Sequence, residues 1–175
     1  MTLHSILIDI VLFTALIISL FTDLKSRKIL NIVTYPTAIL GIVINTIFLQ
    51  MDGLRFSVVG WLVGFSVFWI LNVVATIGMG DVKLIAAIGA LKGYFFTLNA
   101  MIYIALVGGV IAIIYAIVTG QLMIIIINMF NKLFGKKSEI KYESKYLPYG
   151  PSIVAGVLIY YISLIYDFSL YNFNF

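Results

Sequence analysis

Apolar segments recur along the whole chain, and this pattern constrains the fold more than any other feature of the sequence. A helix that crosses a bilayer needs ~20 mostly apolar residues. The segments that approach this length are residues 3–22, 29–49, 56–77, 82–98, 100–118 and 151–166. The fourth is interrupted at Lys92 and Gly93, so it either crosses with Lys92 at the far interface or is a short helix that leads into a longer fifth one. Only 10% of the residues are charged, whereas a soluble domain has roughly 25%. The sequence therefore predicts an all-α polytopic membrane protein with six transmembrane helices, in a single membrane-embedded domain over residues 1–175.

The basic residues predict which side of the membrane each loop faces. Of the 11 Lys and Arg residues, nine follow the first, third or fifth segment and so fall on one side of the membrane. Only Arg55 and Lys92 fall on the opposite side. Cytoplasmic loops carry an excess of Lys and Arg. We therefore expect a multi-pass plasma-membrane protein with both termini outside. This orientation also accounts for the net charge of +4, so no nucleic-acid partner is expected.

The residue types available for chemistry are few. The chain has no cysteine and a single histidine, His4. The lack of cysteine excludes disulfides, thiolate zinc sites and a cysteine nucleophile. The single histidine lies at the extreme N-terminus, so neither a histidine metal site nor a serine–histidine triad is expected. Carboxylates, hydroxyls and lysines remain, and no metal or other cofactor is expected.

Asp23 and Asp81 stand at the edges of apolar segments on the predicted cytoplasmic side. A carboxylate near hydrocarbon is costly and usually has a function. If the first and fourth segments pack together, the two side chains meet. Aspartic proteases use such a pair of carboxyl groups for catalysis. Alternatively, Asp23 pairs with Lys25 or Arg27, and Asp81 is a helix N-cap. The other acids lie on the outer side or in a basic cytoplasmic loop: Asp9, Asp52, Asp167, Glu139 and Glu143.

Glycines are placed where close backbone contact is useful. Gly78 and Gly80 flank Met79 just before Asp81, and their permissive backbone would let an extended peptide approach that carboxylate. We predict that both bind substrate. Lys83 is a further candidate for pairing with a substrate acid, although anchoring to the cytoplasmic interface explains it better. The pairs Gly60 with Gly64 and Gly89 with Gly93 predict close helix contacts.

Three motifs in this order resemble the type IV prepilin peptidase family, membrane aspartic proteases of the GxGD class. They are DLKSRKILN at 23–31, GMGDVKL at 78–84 and LPYGP at 147–151. Leu30 stands where the family usually has proline. The short chain is similar to the peptidases of tight-adherence (Flp) pilus systems and to archaeal preflagellin peptidases.

The resemblance implies a function and a site. Asp23 and Asp81 would activate one water, and the enzyme would remove the short basic leader of prepilin-like or preflagellin-like proteins at the cytoplasmic membrane face. Expected partners are these substrates and the lipid bilayer, with the pilus or secretion machinery as a further candidate. Larger relatives also N-methylate the product and carry a cysteine-containing domain; methylation is not expected here. The alternatives are a small ion- or proton-coupled transporter and a non-catalytic pilus assembly subunit.

Overall fold

The computed structural model describes residues 2–75, 78–120, 122–123, 127 and 149–166. Within these residues there are helices and no strands, which confirms the predicted all-α class. The helices are α1 (Leu3–Ser26), α2 (Asn31–Ala75), α3 (Met79–Val118) and α4 (Gly150–Ile165). Asp167, Glu139 and Glu143 lie outside the described residues.

Local signals fix both ends of α1. At the start, the hydroxyl oxygen of Thr2 accepts a hydrogen bond from the Ser5 N–H at 3.3 Å, which satisfies one of the free donors of the first turn. At the end, Arg27 adopts a left-handed conformation with φ 53°, and its N–H donates to the Asp23 carbonyl at 2.8 Å. A left-handed residue directly after the last turn is a common helix stop. Asp23 therefore lies in the last turn of α1.

The chain reverses direction inside α2. Gln50 has φ 54° and ψ −133°, which no helix can accommodate, and it separates segments 31–49 and 51–75. The Asn45 amide donates to the Ser57 hydroxyl at 2.8 Å. In a straight helix these residues would be ~18 Å apart along the axis. The two segments therefore form an antiparallel pair.

A second reversal occurs inside α3 at Gly93, which has φ 78° and ψ 174°. This backbone conformation favours glycine, and an added Cβ would lie 2.3 Å from the Phe56 ring. The break removes helical partners from the carbonyls that precede it. The buried amide of Asn45 replaces them by donating to the carbonyls of Ala90 at 3.1 Å and Leu91 at 3.2 Å.

Glycines bring the backbones of α2 and α3 into direct contact. A Cβ added to Gly60 would lie 2.1 Å from the Gly89 carbonyl oxygen and 2.8 Å from the Gly93 Cα. One added to Gly64 would lie 2.9 Å from the Ile85 carbonyl oxygen. Small residues permit such close helix packing. The predicted contacts of these glycines are confirmed, and they place segment 79–92 in the centre of the bundle.

Contacts between distant residues show how the remaining segments run. Asp9 pairs with Lys92, whereas Asp23 lines a cavity together with Asp81. Segment 79–92 is therefore antiparallel to α1. In α4, Gly150 contacts Asp23 and Tyr161 contacts Asp9, so α4 is also antiparallel to α1. The last turn of α1 and the first turns of α3 and α4 consequently meet at one end of the bundle.

The predicted apolar segments correspond to helices in the structure, with one boundary changed. Within the described part of the chain, three helical stretches are long and apolar enough to cross a membrane, namely Leu3–Ser26, Asn31–Val73 and Met79–Val118, and Gly150–Ile165 is a shorter apolar helix. The boundary near residue 98 moves to Gly93, where the chain turns, and residues 94–98 belong to the helix that follows. Of the two alternatives for the fourth segment, the short helix that leads into a longer fifth one is therefore confirmed. The protein is a membrane protein; a bilayer crossing by each of the six segments, and the side on which the termini lie, stay predictions.

An ion pair lies at the opposite end of the bundle from Asp23. The Lys92 ammonium contacts the Asp9 carboxylate, and the Tyr161 hydroxyl donates to the other oxygen of Asp9 at 2.6 Å. The side chains of Lys92 and Asp9 are only 18% and 12% exposed. Removing one partner of a buried pair leaves the other charge uncompensated.

We therefore expect Lys92→Met to lower the free energy of unfolding by about 3–5 kcal/mol. Thermal unfolding of the purified protein in detergent measures the effect. The matched control is Asp52→Asn, which removes a pair with Arg55 at 4.0 Å whose side chains are 80% and 92% exposed; such exposed pairs contribute little. A Lys92→Met protein as stable as the wild type would contradict a stabilising role for this pair.

Candidate active site

Asp23 and Asp81 line one cavity at the end of the bundle where α1 finishes and α3 begins. Their side chains are buried, with 2% and 3% of their surface exposed. The cavity has a volume of about 200 Å³ and is lined by Asp23, Arg27, Lys28, Ile29, Gly78, Met79, Gly80 and Asp81. The structure thus brings together the two carboxylates that the sequence singled out, although they are far apart along the chain.

Asp23 is held by the first residue of α4. The N–H of Gly150 donates to its Oδ2 at 2.9 Å. The first N–H groups of a helix have no helical acceptor, and the helix dipole adds positive potential there. The carboxylate of Asp23 satisfies one of these donors. The described ion pairs do not include Asp23, so the structure does not favour the alternative pairing with Lys25 or Arg27.

No side chain fits at position 150. A Cβ added to Gly150 would lie 2.5 Å from Oδ2 of Asp23 and 2.8 Å from its Cβ. The glycine therefore allows the start of α4 to contact Asp23 directly. The LPYGP motif contributed to the family resemblance in the sequence but did not predict this contact. The available signal was a glycine next to a proline at a helix start, which does not identify a partner 127 residues away.

Asp81 lies in the first turn of α3. The helix begins after Gly78, which has an extended backbone at φ −64° and ψ 138°, and the Asp81 N–H donates to the Gly78 carbonyl at 3.0 Å. The N-cap is therefore Gly78, and the alternative in which Asp81 caps the helix is wrong. An acidic residue in the first turn is favoured by the helix dipole. Both carboxylates thus lie at helix N-termini, Asp23 at that of α4 and Asp81 at that of α3.

The predicted substrate-binding residues divide into two groups. Gly78 and Gly80 line the cavity with the aspartates. A Cβ added to Gly80 would lie 3.0 Å from the Ile29 Cβ, so this glycine also lets α3 pack against the link between α1 and α2. Lys83 does not line this cavity; its ammonium donates to the Asn31 side chain at 2.9 Å and lies 5.1 Å from the centre of the Tyr35 ring.

Potential metal ligands are sparse at this site. Among the described residues, no group of three or more His, Asp or Glu side chains is arranged to hold a metal ion. The cavity instead combines two carboxylates with two basic residues, Arg27 and Lys28, and with the start of α3, where Gly78 and Gly80 flank Met79. Two buried carboxylates in one small cavity can hold a water between them and exchange protons with it.

Comparison with known proteins identifies the chain. The sequence model of the type IV leader peptidase family matches residues 10–117, which is more than half of the chain. The chain belongs to the type IV leader peptidase family. The matched range contains both Asp23 and Asp81, whereas Gly150 lies beyond it. No curated protein and no solved structure matches the chain. The predicted family is therefore confirmed, and membership of it implies a leader peptidase.

Proposed function

We propose that this leader peptidase is an aspartic endopeptidase that removes the short basic leader of type IV prepilin-like proteins at the cytoplasmic face of the membrane. The observation that carries the proposal is the shared cavity of Asp23 and Asp81, two buried carboxylates contributed by different helices. Burying two carboxylates together destabilises a fold unless they share a proton or bind a partner. A catalytic pair accounts for why both are kept.

The proposed reaction uses one water held between the two carboxyl groups. Like charges in one small cavity do not both ionise readily, so the pair shares one proton in the proposed reaction. The ionised carboxylate takes a proton from the water while the water oxygen attacks the scissile carbonyl carbon. The protonated carboxyl donates its proton to the carbonyl oxygen. Collapse of the tetrahedral intermediate breaks the C–N bond, and the leaving amine receives the proton taken from the water. One hydroxyl proton of the diol returns to the second carboxylate as the new C=O bond forms, which restores the singly protonated pair.

The hydrogen bond from Gly150 positions Asp23 in the cavity, because Oδ2 of Asp23 accepts the Gly150 N–H at 2.9 Å. Asp81 also has a backbone hydrogen bond, at Gly78. In the proposed reaction, either carboxyl group serves as the base while the other carries the shared proton. Gly78 and Gly80 border the same cavity, where the substrate backbone would pass.

The position of the basic residues supports a cytoplasmic site. Lys25 lies in the last turn of α1, and Arg27 and Lys28 follow that turn and line the cavity. Such a group of basic residues is expected at a cytoplasmic interface. A prepilin-like substrate would keep its basic leader in the cytoplasm and its hydrophobic helix in the bilayer. Its scissile bond, between these two parts, would then lie at the level of the aspartates. The proposal covers peptidase activity and does not include N-methylation.

Mass spectrometry of a prepilin co-expressed with the protein tests this function. We expect the wild type to shorten the prepilin by its leader, with the cut just before the hydrophobic segment and without the added mass of a methyl group. The observed mass locates the scissile bond. An unchanged mass across a panel of prepilins and preflagellins, with the peptidase folded in the membrane, would contradict the proposed function.

A further inference from the structure

An apolar groove lies between α1 and the first segment of α2. Its volume is about 230 Å³, and its walls include Ile10, Thr14 and Ile18 on one side and Ile32, Pro36 and Leu40 on the other. Each set is spaced four residues apart, which places its members in a row along one helix face. All of these wall residues are exposed on the surface of the bundle. The groove is therefore open to the bilayer along its length.

The floor of the groove is made of small, buried residues. Ala15, Val33 and Thr37 have 4%, 8% and 5% of their surface exposed. The Thr37 hydroxyl already donates to the Val33 carbonyl at 2.7 Å, so it offers no free donor to the groove. None of the described residues that line the groove is charged. A floor of this kind permits a second helix to approach closely, and the occupant that it fits is apolar.

The groove begins next to the catalytic cavity. Ile18 lies five residues before Asp23 on α1, which is about 7.5 Å along the helix axis, and Ile32 lies three residues after Ile29. Asp23 and Ile29 both line the catalytic cavity. From this end the groove extends over the eight residues from Ile18 to Ile10, or about 12 Å, towards the opposite end of the bundle.

We propose that this groove binds the first turns of the hydrophobic helix of the substrate, on the carboxyl side of the scissile bond. The inference rests on the proposed function, in which the cut falls just before that helix. A substrate whose scissile carbonyl lies at the aspartates must pass its apolar segment into the bilayer from the same point. The groove continues from that point in the required direction. Its length matches about two turns of helix, and its open side lets the substrate enter laterally from the membrane.

Recognition of this kind would make the enzyme selective for the helix as well as for the cleavage site. A groove that binds an amphipathic or apolar helix contacts side chains that lie three and four positions apart on that helix. The contacts would come from packing, because lipid tails remove the usual hydrophobic advantage of burial. Without substrate, lipid acyl chains would fill the same space.

Cysteine crosslinking tests the register of this contact. The chain has no cysteine, so Ile18→Cys, Thr14→Cys and Ile10→Cys each introduce a single thiol along the groove. A prepilin with single cysteines scanned through its hydrophobic helix supplies the partner thiol. We expect disulfides that recur every three to four substrate positions and that move progressively away from the scissile bond from Ile18 to Ile10. Ile113→Cys, exposed on the second segment of α3, is the matched control. Crosslinking no greater than this control would overturn the proposal and leave the groove as a lipid site.

A kinetic test separates this inference from the proposed function. Thr14→Trp should fill the groove and raise the KM for a full-length prepilin about tenfold, the change expected from the loss of one helix-packing contact. Ile113→Trp is the control. If the wild type cleaves the prepilin and Thr14→Trp has the same KM as Ile113→Trp, the groove proposal is overturned and the proposed peptidase function is unaffected. If the wild type cleaves nothing, the proposed function itself fails, and the groove proposal fails with it.

Discussion

Asp23→Asn and Asp81→Asn should each reduce the kcat of leader removal by a factor on the order of a thousand or more, as expected when one member of a catalytic unit is lost. An asparagine amide has the shape of a carboxyl group, but it neither accepts the proton of the water nor holds the proton shared by the pair. Both side chains are buried in the same cavity, so no other described carboxylate is placed to substitute for either. Single-turnover cleavage of a purified prepilin in detergent measures the loss.

The remaining aspartates provide the controls for this prediction. Asp52 is exposed, and Asp9 lies at the opposite end of the bundle with Lys92. We expect Asp52→Asn, Asp9→Asn and Asp167→Asn to retain most of the activity per folded molecule. Because residues that act as a unit have non-additive effects, the double variant should lose no more than either single variant. Near-normal turnover in Asp23→Asn or Asp81→Asn would refute the catalytic pair.

Gly150→Ala should lower kcat about a hundredfold, although position 150 contributes no side chain to the reaction. The added Cβ would lie 2.5 Å from Oδ2 of Asp23, so either the carboxylate or the start of α4 must move. Misplacement of a reacting group by ~1 Å costs a factor of about 100. Since the change displaces a positioning contact and leaves the groove intact, KM should change much less than kcat. Steady-state kinetics with a full-length prepilin gives both quantities.

A second glycine controls for the effect of the substitution on helix stability. Gly109 lies within α3, and an added Cβ there would meet nothing within 4 Å. We expect Gly109→Ala to retain the wild-type kcat and KM. If Gly150→Ala is folded and has the wild-type kcat, the hydrogen bond from Gly150 to Asp23 has no positioning role.

The shared location of Asp23 and Asp81 could be predicted from sequence because two independent signals agree on it. Apolar segment lengths and the asymmetry of basic residues place Asp23 and Asp81 at the same predicted membrane face. The glycines before Asp81 mark the same point. What the sequence could not establish was whether the first and fourth segments are neighbours. The structure answers this at both ends of segment 79–92, because Asp81 shares a cavity with Asp23 and Lys92 pairs with Asp9.

Gly93 shows why the segment boundaries were harder to predict. The residues on both sides of it are apolar, so the pattern reads as one continuous stretch interrupted only by Lys92. The turn depends on a positive φ at Gly93 and on the Asn45 amide, which bonds the carbonyls of Ala90 and Leu91 from another helix. Such a contact depends on tertiary structure and leaves no local pattern. The same holds for the hydrogen bond between Gly150 and Asp23.

The surroundings of Asn45 also bear on the alternative of a transporter. A transport pathway needs polar groups that face a passage through the membrane. Asn45 is fully buried, and its amide is engaged by the Ser57 hydroxyl and the carbonyls of Ala90 and Leu91. Its role in the structure is to stabilise the helix break. These contacts favour a peptidase with its chemistry at one end of the bundle.

The most direct test of the central claim is the affinity of the protein for a transition-state mimic. In this mimic, a prepilin segment carries a hydroxyl-bearing tetrahedral carbon in place of the scissile amide, so that the hydroxyl replaces the water between Asp23 and Asp81. Transition-state analogues bind at least about a hundredfold more tightly than substrates. The reference is the affinity of Asp81→Asn for the uncleaved prepilin segment. We predict that the wild type binds the mimic with this excess affinity over the reference. Asp23→Asn and Asp81→Asn should both lose the excess affinity for the mimic. Equal affinity for the mimic in all three proteins would contradict a two-aspartate mechanism.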